Sequence, residues 1–262
     1  MDSTSSNDQK DRVRDQFDRH AAKYAVSQVH QGGESLDRVV EFAEPVSSDL
    51  AVDIATGAGF TGCAVAPFVH RLVATDIARS MLHETRKLAA NRRLTNVMVQ
   101  YADAEALPFR EASLDIVTCR TAPHHFPDPP AFLAEVARTL KPGGRLVISD
   151  TCSPEQDEVE GWMHRLELLR DPTHVRNYRS TVWKRMVRDA GLVWEASDVS
   201  SRQPMSFDEW IERSGTTADT AATLRRMMAD ASDETRRAFQ IELQGSDYWF
   251  SWTYVVFRAT KP

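Results

Sequence analysis

The chain has 262 residues, 42% apolar and 27% charged, with a net charge of −6, enough for one large domain whose core closes without staples. Its acidic balance and short basic runs argue against nucleic acid as a partner. Cys63, Cys119 and Cys152 are scattered and form no C-x-x-C pair, so neither a disulfide framework nor a metal site is expected. There is no membrane-length apolar run of roughly 18 residues and no apolar signal core in "MDSTSSNDQK", and a cytoplasmic protein is the expectation.

Residues 1–11 read as a disordered tail, and residues 12–262 as a single domain. From Arg12, the apolar residues Val13, Phe17, Ala21 and Tyr24 recur near helical spacing. A second helix begins near Ser35 and stops before Pro45. Then "LAVDIA", "RLVATD", "VMVQYAD", "LDIVTCR" and "RLVISD" follow as short apolar runs with helical segments between most of them. "KPGG" is read as the turn before the fifth run. Strands alternating with helices predict a doubly wound, mostly parallel α/β sheet, Rossmann-like, whose strands are buried on both faces. The rhythm breaks at about 151–180 and 202–244, two mostly helical insertions read as a lid. "LVWEASDV" and "SDYWFSWTYVVFRATKP" supply the last strands.

In an open α/β sheet, ligands sit beyond the carboxyl ends of the strands. Gly57, Gly59 and Gly62 follow the first strand in G-x-G-x-x-G spacing, and three successive strands end at or near Asp53, Asp76 and Asp103. Asp76 lies 19 residues after Gly57, where an acid accepts the hydroxyls of a ribose; the alternative is a helix cap. Asp103 is placed to accept from an adenine amine, with the Ala104 N–H facing the ring; the alternative is a turn residue. A carboxylate at Asp53 would repel the pyrophosphate that a helix N-terminus attracts, and would suit a phosphate-free ligand with a positive amino group.

In order, "VDIATGAGFTG", the acid of "VATDIA", "YADAEALPFREASLDIV" and "LKPGGRLVISD" resemble the motifs of class I S-adenosylmethionine-dependent methyltransferases, and among these the ubiquinone/menaquinone-biosynthesis type. The likeness runs from about residue 12 to about residue 200. It implies a seven-stranded sheet with the last strand antiparallel, and S-adenosylmethionine as cofactor. It also implies that Tyr24, in an A-x-x-Y stretch, covers the methionine end of that cofactor. Met81 and Arg120 complete the expected cofactor set of Tyr24, Asp53, Gly57, Gly59, Asp76, Asp103 and Ala104.

Chemistry is expected in "CRTAPHHFPDPP", at the end of the fourth strand. His124 and His125 are candidate bases, or packed scaffold residues. His30, and His174 with Arg176 on the first insertion, are candidate acceptor contacts. The expected activity is methyl transfer to a small acceptor, aromatic, quinol-like or polyketide-like, at carbon or oxygen. A nicotinamide-dependent oxidoreductase and a non-catalytic S-adenosylmethionine-binding protein are the alternatives. A homodimer is left open.

Overall fold

In the computed structural model, which describes residues 3–25, 31–199 and 202–262, each apolar run becomes a strand. β1 (Leu50–Asp53), β2 (Arg71–Asp76), β3 (Val97–Tyr101), β4 (Leu114–Arg120) and β5 (Leu140–Cys152) pair in parallel in the order β3-β2-β1-β4-β5. β9 (Asp247–Thr260) then runs antiparallel between β5 and β6 (Val193–Asp198). The predicted pairing of the two C-terminal strands is therefore present, with the second insertion between them.

Side-chain alternation assigns the strands to two apolar layers, as expected for a sheet covered on both faces. Val52, Ile54, Val117, Ile148 and Phe257 pack with α5 (Pro129–Thr139) and α7 (Ser180–Asp189), around the fully buried Phe132 and Trp183. Ala51, Ile116, Val147 and Val256 face the other way, toward Val39 of α2 (Glu34–Ala43) and Val65 of α3 (Phe60–Val65). A third apolar cluster joins α6 (Asp157–Arg170), α8 (Phe207–Ser214), α9 (Ala218–Ala229) and α10 (Asp233–Phe239) to the first half of β9 through Trp162, Phe207, Trp210, Phe250 and Trp252.

Three expectations are corrected. The expected seven strands are present, but among the described residues the sheet has two more, because β7 (Arg202–Ser206) and β8 (Glu242–Gln244), on an insertion expected to be mostly helical, pair with the N-terminal half of the 14-residue β9. β9 continues past the ends of β5 and β6, and its open backbone groups need partners there. "KPGG" lies within β5 as a bulge: Gly143 has φ +77°, and the register with β4 jumps between Leu114 and Ile116. Finally, residues 3–11 are helical and not a disordered tail, since α1 spans Ser3–Ala25. Tertiary partners hold this polar stretch: Gln9 donates to the Thr173 carbonyl at 2.7 Å, and the Lys10 ammonium meets Asp103 at 2.7 Å. Farther along, Asp18 accepts from the Ser80 N–H at 2.8 Å and so caps α4 (Arg79–Asn91) from outside.

Candidate active site

Two adjoining cavities open at the carboxyl ends of β1, β2 and β4. The first encloses about 1010 Å³ and contains most of the predicted cofactor residues: Tyr24, Gly57, Asp76, Met81, Asp103, Ala104 and Arg120. The second encloses about 870 Å³ and is walled by α1, α6, α8 and the middle of β9. Phe17 and Tyr24 of α1, with Thr121 and His125 beyond β4, line both.

The turn after β1 is shaped by backbone geometry. Gly59 has φ +90°, and a Cβ there would fall 2.7 Å from Thr85 Cγ2, so only glycine fits. Ala55 and Thr121 also have positive φ, at +49° and +54°, strained values for residues with a Cβ at a cavity edge. Asp76 carries the turn's polarity. Its Oδ2 accepts the Gly57 N–H at 2.9 Å and its Oδ1 the Ala78 N–H at 2.8 Å. Each oxygen keeps a lone pair, the arrangement two ribose hydroxyls require. Burial pushes its pKa up to about 6, against the pull of those two N–H groups.

Asp53 departs from its predicted role. It is 1% exposed and does not line either cavity. Its Oδ2 accepts from Thr56 Oγ1 at 2.6 Å and the Gly62 N–H at 2.9 Å, and its Oδ1 from Thr118 Oγ1 at 2.6 Å. A buried carboxylate needs such donors, and Asp53 spends its oxygens tying the glycine turn to β4. It faces no ligand amino group. Asp103 lines the first cavity, but its Oδ2 is held by Lys10 and its Oδ1 by the Glu105 N–H at 2.9 Å. Lys10 also reaches Glu105 at 2.5 Å, which makes α1 the latch over this end of the cavity.

The two histidines divide. His124 lines the second cavity, and its Nδ1 lies 2.6 Å from Asp150 Oδ1, while the Asp150 Oδ2 accepts the His124 backbone N–H at 2.8 Å. A carboxylate only accepts, so Nδ1 carries the proton and Nε2 presents its lone pair. Nε2 has no hydrogen-bond partner among the described residues. Burial lowers the His124 pKa, but the charge and hydrogen bond of Asp150 outweigh it and raise the net value. His125 is 7% exposed, and its Nδ1 donates to the Thr173 carbonyl at 3.0 Å. Burial and the neighbouring His124 push its pKa down to about 4, so it is neutral at pH 7.

The insertion loop acts through its backbone, contrary to expectation. Val175 N–H and Arg176 N–H donate to the His124 carbonyl at 2.8 and 3.1 Å. The His174 side chain lies behind His124, with ring centroids 5.6 Å apart, buried outside both cavities, and burial brings its pKa down to about 2. The Arg176 side chain is 54% exposed and pairs with Glu160, also outside both cavities. His30 lies outside the described residues. The residues missed by sequence reasoning are Asp150, which ends "RLVISD" as other strands end in acids, and the polar wall of the second cavity, Glu167, Arg170, Asp171, Asn177 and Arg213. No local pattern marks that wall. Among the described residues no His, Cys, Asp and Glu group suits a metal ion, and no helix is long and apolar enough to cross a membrane.

Fold and cavities together define an α/β protein that seats an adenosine-bearing cofactor on strand tips, beside a separate chamber containing an acid-oriented histidine. Comparison with known proteins makes this specific. Residues 52–148 match the methyltransferase domain family. The uncharacterized methyltransferase YcgJ of Bacillus subtilis (strain 168) is 35% identical over 228 residues, 87% of this chain and 89% of that protein. Its crystal structure aligns with a TM-score of 0.81 at 33% identity, over 87% of this chain and 97% of that one. A structure from Bacillus halodurans C-125, described as a methyltransferase candidate, aligns with a TM-score of 0.85 at 30% identity, over 88% of this chain and 100% of that one. The ubiquinone/menaquinone biosynthesis C-methyltransferase UbiE of Teredinibacter turnerae is 33% identical over 163 residues, 58% of this chain and 65% of that protein. The chain belongs to the class I S-adenosylmethionine-dependent methyltransferases. Its cofactor is S-adenosylmethionine, and the nicotinamide reading falls with that assignment. The first cavity fits this cofactor: each Asp76 oxygen has a lone pair left for a ribose hydroxyl, and the backbone at Gly57 has open space beside it.

Proposed function

We propose that this enzyme methylates a hydroxyl oxygen or an activated carbon of a small acceptor, aromatic, quinol-like or polyketide-like, bound in the second cavity. We further propose that His124 is its general base. When bound, the cofactor supplies an electrophilic methyl group on sulfur. Asp76 and the glycine turn hold the nucleoside end, and Met81 and Ala104 form apolar wall around it. Phe17, Tyr24 and His125, which face both cavities, form the partition where acceptor and cofactor meet and exclude water from it. His124 Nε2 takes the proton that a phenol or enol gives up, and Asp150 fixes the ring and stabilises the imidazolium.

The observation that carries this reading is the 2.6 Å contact from His124 Nδ1 to Asp150, on a ring that lines the acceptor chamber. The test is turnover on a panel of phenols and 1,3-dicarbonyl compounds. His124→Gln and Asp150→Asn are expected to lower kcat by about 10²- to 10⁴-fold, with S-adenosylhomocysteine affinity unchanged. In Asp150→Asn the acidic limb of the pH–rate profile moves to lower pH, because the charge that raises the His124 pKa is gone. Full turnover in both variants would end the base assignment.

A further inference from the structure

The second cavity holds more positive charge than its own acids neutralise. Arg213, near the end of α8, lines it, and its Nη2 donates to Met205 Sδ at 3.8 Å. No carboxylate of the described residues comes within ion-pair distance of it. Arg170, at the end of α6, lines the same chamber. Its Nε donates to the Trp210 carbonyl at 3.1 Å, its guanidinium lies 4.6 Å from the Trp210 ring centre, and its nearest acid, Glu167, is 3.8 Å away. Asn177 is 4% exposed, lines the chamber, and has a buried Nδ2 with no partner among the described residues.

These groups are costly as they stand. Elsewhere in the chain the part-buried Arg145 meets Asp49 at 2.6 Å, the close pairing that Arg213 lacks. Burial lowers the Arg213 pKa, and the nearby positive charge of Arg170 lowers it further, against the weaker pull of Tyr254 and Glu209. A buried amide donor without an acceptor is costly as well. A single ligand group that is negative and accepts hydrogen bonds relieves both cations.

We infer that Arg213 and Arg170 form an anion-recognition subsite in the acceptor cavity, and that the acceptor carries a carboxylate. This rests on the reading of the second cavity as the acceptor chamber. Charge balance selects a carboxylate over a dianionic phosphate. The chamber has three cations, Lys23, Arg170 and Arg213, against two acids, Glu167 and Asp171. Asp171 already accepts at Oδ1 from the Thr173 N–H, the Thr173 hydroxyl and Gln16. Among these lining residues one positive charge is left over, and the Asp150 carboxylate behind a neutral His124 offsets it, so the chamber has nothing to spare for a dianion. A planar guanidinium also matches a carboxylate through two parallel bonds. Trp210, Trp252 and Tyr254 supply broad apolar walls, which suit a planar body between that carboxylate and the hydroxyl or carbon to be methylated.

The test uses the full chain saturated with S-adenosylhomocysteine and titrated calorimetrically with benzoate, benzamide and phenyl phosphate. Benzoate is expected to bind about ten- to a hundredfold tighter than benzamide, the worth of a charge-assisted hydrogen bond. Arg213→Met abolishes that preference, and Arg213→Lys retains part of it. Unchanged S-adenosylhomocysteine affinity shows that each variant is folded. Equal binding of benzoate and benzamide, or a preference that survives Arg213→Met, overturns the subsite. Tighter binding of phenyl phosphate than of benzoate overturns the choice of a carboxylate. A benzoate preference that persists in a chain whose turnover is indifferent to His124→Gln supports this subsite while sinking the base assignment, so the two fail separately.

Discussion

Cofactor binding should release a proton at Asp76, and affinity should therefore fall in mild acid. Burial raises the pKa of this carboxyl from 3.8 to about 6 in the unliganded fold. With a raised pKa, the group adds stability below the ordinary carboxylate range and loses that contribution as pH rises through about 6. Ribose hydroxyls donating to its two oxygens favour the ionised form and bring the pKa back down. If it returns to the ordinary value, the linkage is about 2 pKa units, or ~3 kcal/mol and ~10²-fold in affinity at its limit. Between pH 7 and pH 5 this amounts to a Kd for S-adenosylhomocysteine about tenfold weaker. The amino and carboxyl groups of that ligand titrate outside this window, so the slope belongs to the protein. Calorimetric titration in two buffers of different ionisation enthalpy counts the protons: close to one released at pH 5, close to none at pH 7.5. Asp76→Asn binds weakly at every pH and shows no slope, because its amide sets an NH₂ against a backbone donor of Gly57 or Ala78. A Kd that stays flat from pH 7 to pH 5, or a slope that persists in Asp76→Asn, would refute the reasoning.

Three other substitutions separate scaffold from contact. Gly59→Ala forces a Cβ to 2.7 Å from Thr85 at a φ of +90°; thermal denaturation should show a loss of about 1–3 kcal/mol, together with loss of S-adenosylhomocysteine binding. Asp53→Ala leaves two buried hydroxyls and the Gly62 N–H without their acceptor, and should cost at least ~3 kcal/mol in urea unfolding at about 1 kcal/mol or more per orphaned group; a neutral result would contradict its role as an anchor. Lys10→Met removes the counter-charge of Asp103 and Glu105; stability should fall by only about 1 kcal/mol, but trypsin should cut α1 at Arg12, Arg14 or Arg19 several-fold faster, and unchanged protection would argue against the latch.

The parts of the site legible in sequence are those governed by local periodicity. A buried strand that ends in an acid 19 residues after the glycine turn brings that acid back to the turn in a parallel sheet, and Asp76 there accepts the Gly57 and Ala78 N–H groups. Asp53 shows the limit of strand-tip reasoning and also its remedy. Side chains alternate along a strand, and Asp53 is two residues after Ala51, which packs into the layer under α2 and α3. That parity directs its carboxylate beneath the turn, to Gly62 and Thr118, and away from the ligand. The disordered-tail reading failed for a related reason. Polar composition reports what a segment has to bury, whereas α1 is held by hydrogen bonds and charge pairs whose partners lie about 62 to 164 residues away in sequence.

The second cavity was illegible because its candidate base and its cations come from elements far apart in sequence. His124 becomes a candidate base only when the register of β4 against β5 brings Asp150 beside it, 26 residues on. Arg170 and Arg213 end helices on different insertions, where a basic residue near a helix C-terminus needs no further explanation than the helix dipole. What distinguishes them is a deficit, two guanidinium groups facing one chamber with one acid at 3.8 Å, and a deficit is visible only after every partner has been placed. The same logic divides the molecule by function. The cofactor end is specified by short motifs on consecutive strands, and it is the part matched by the family over residues 52–148. The second cavity shares α1 with the first but draws on α6, α8 and β9, outside that span, so under the proposed function substitutions on those three elements should change what is methylated while leaving S-adenosylhomocysteine affinity as it is.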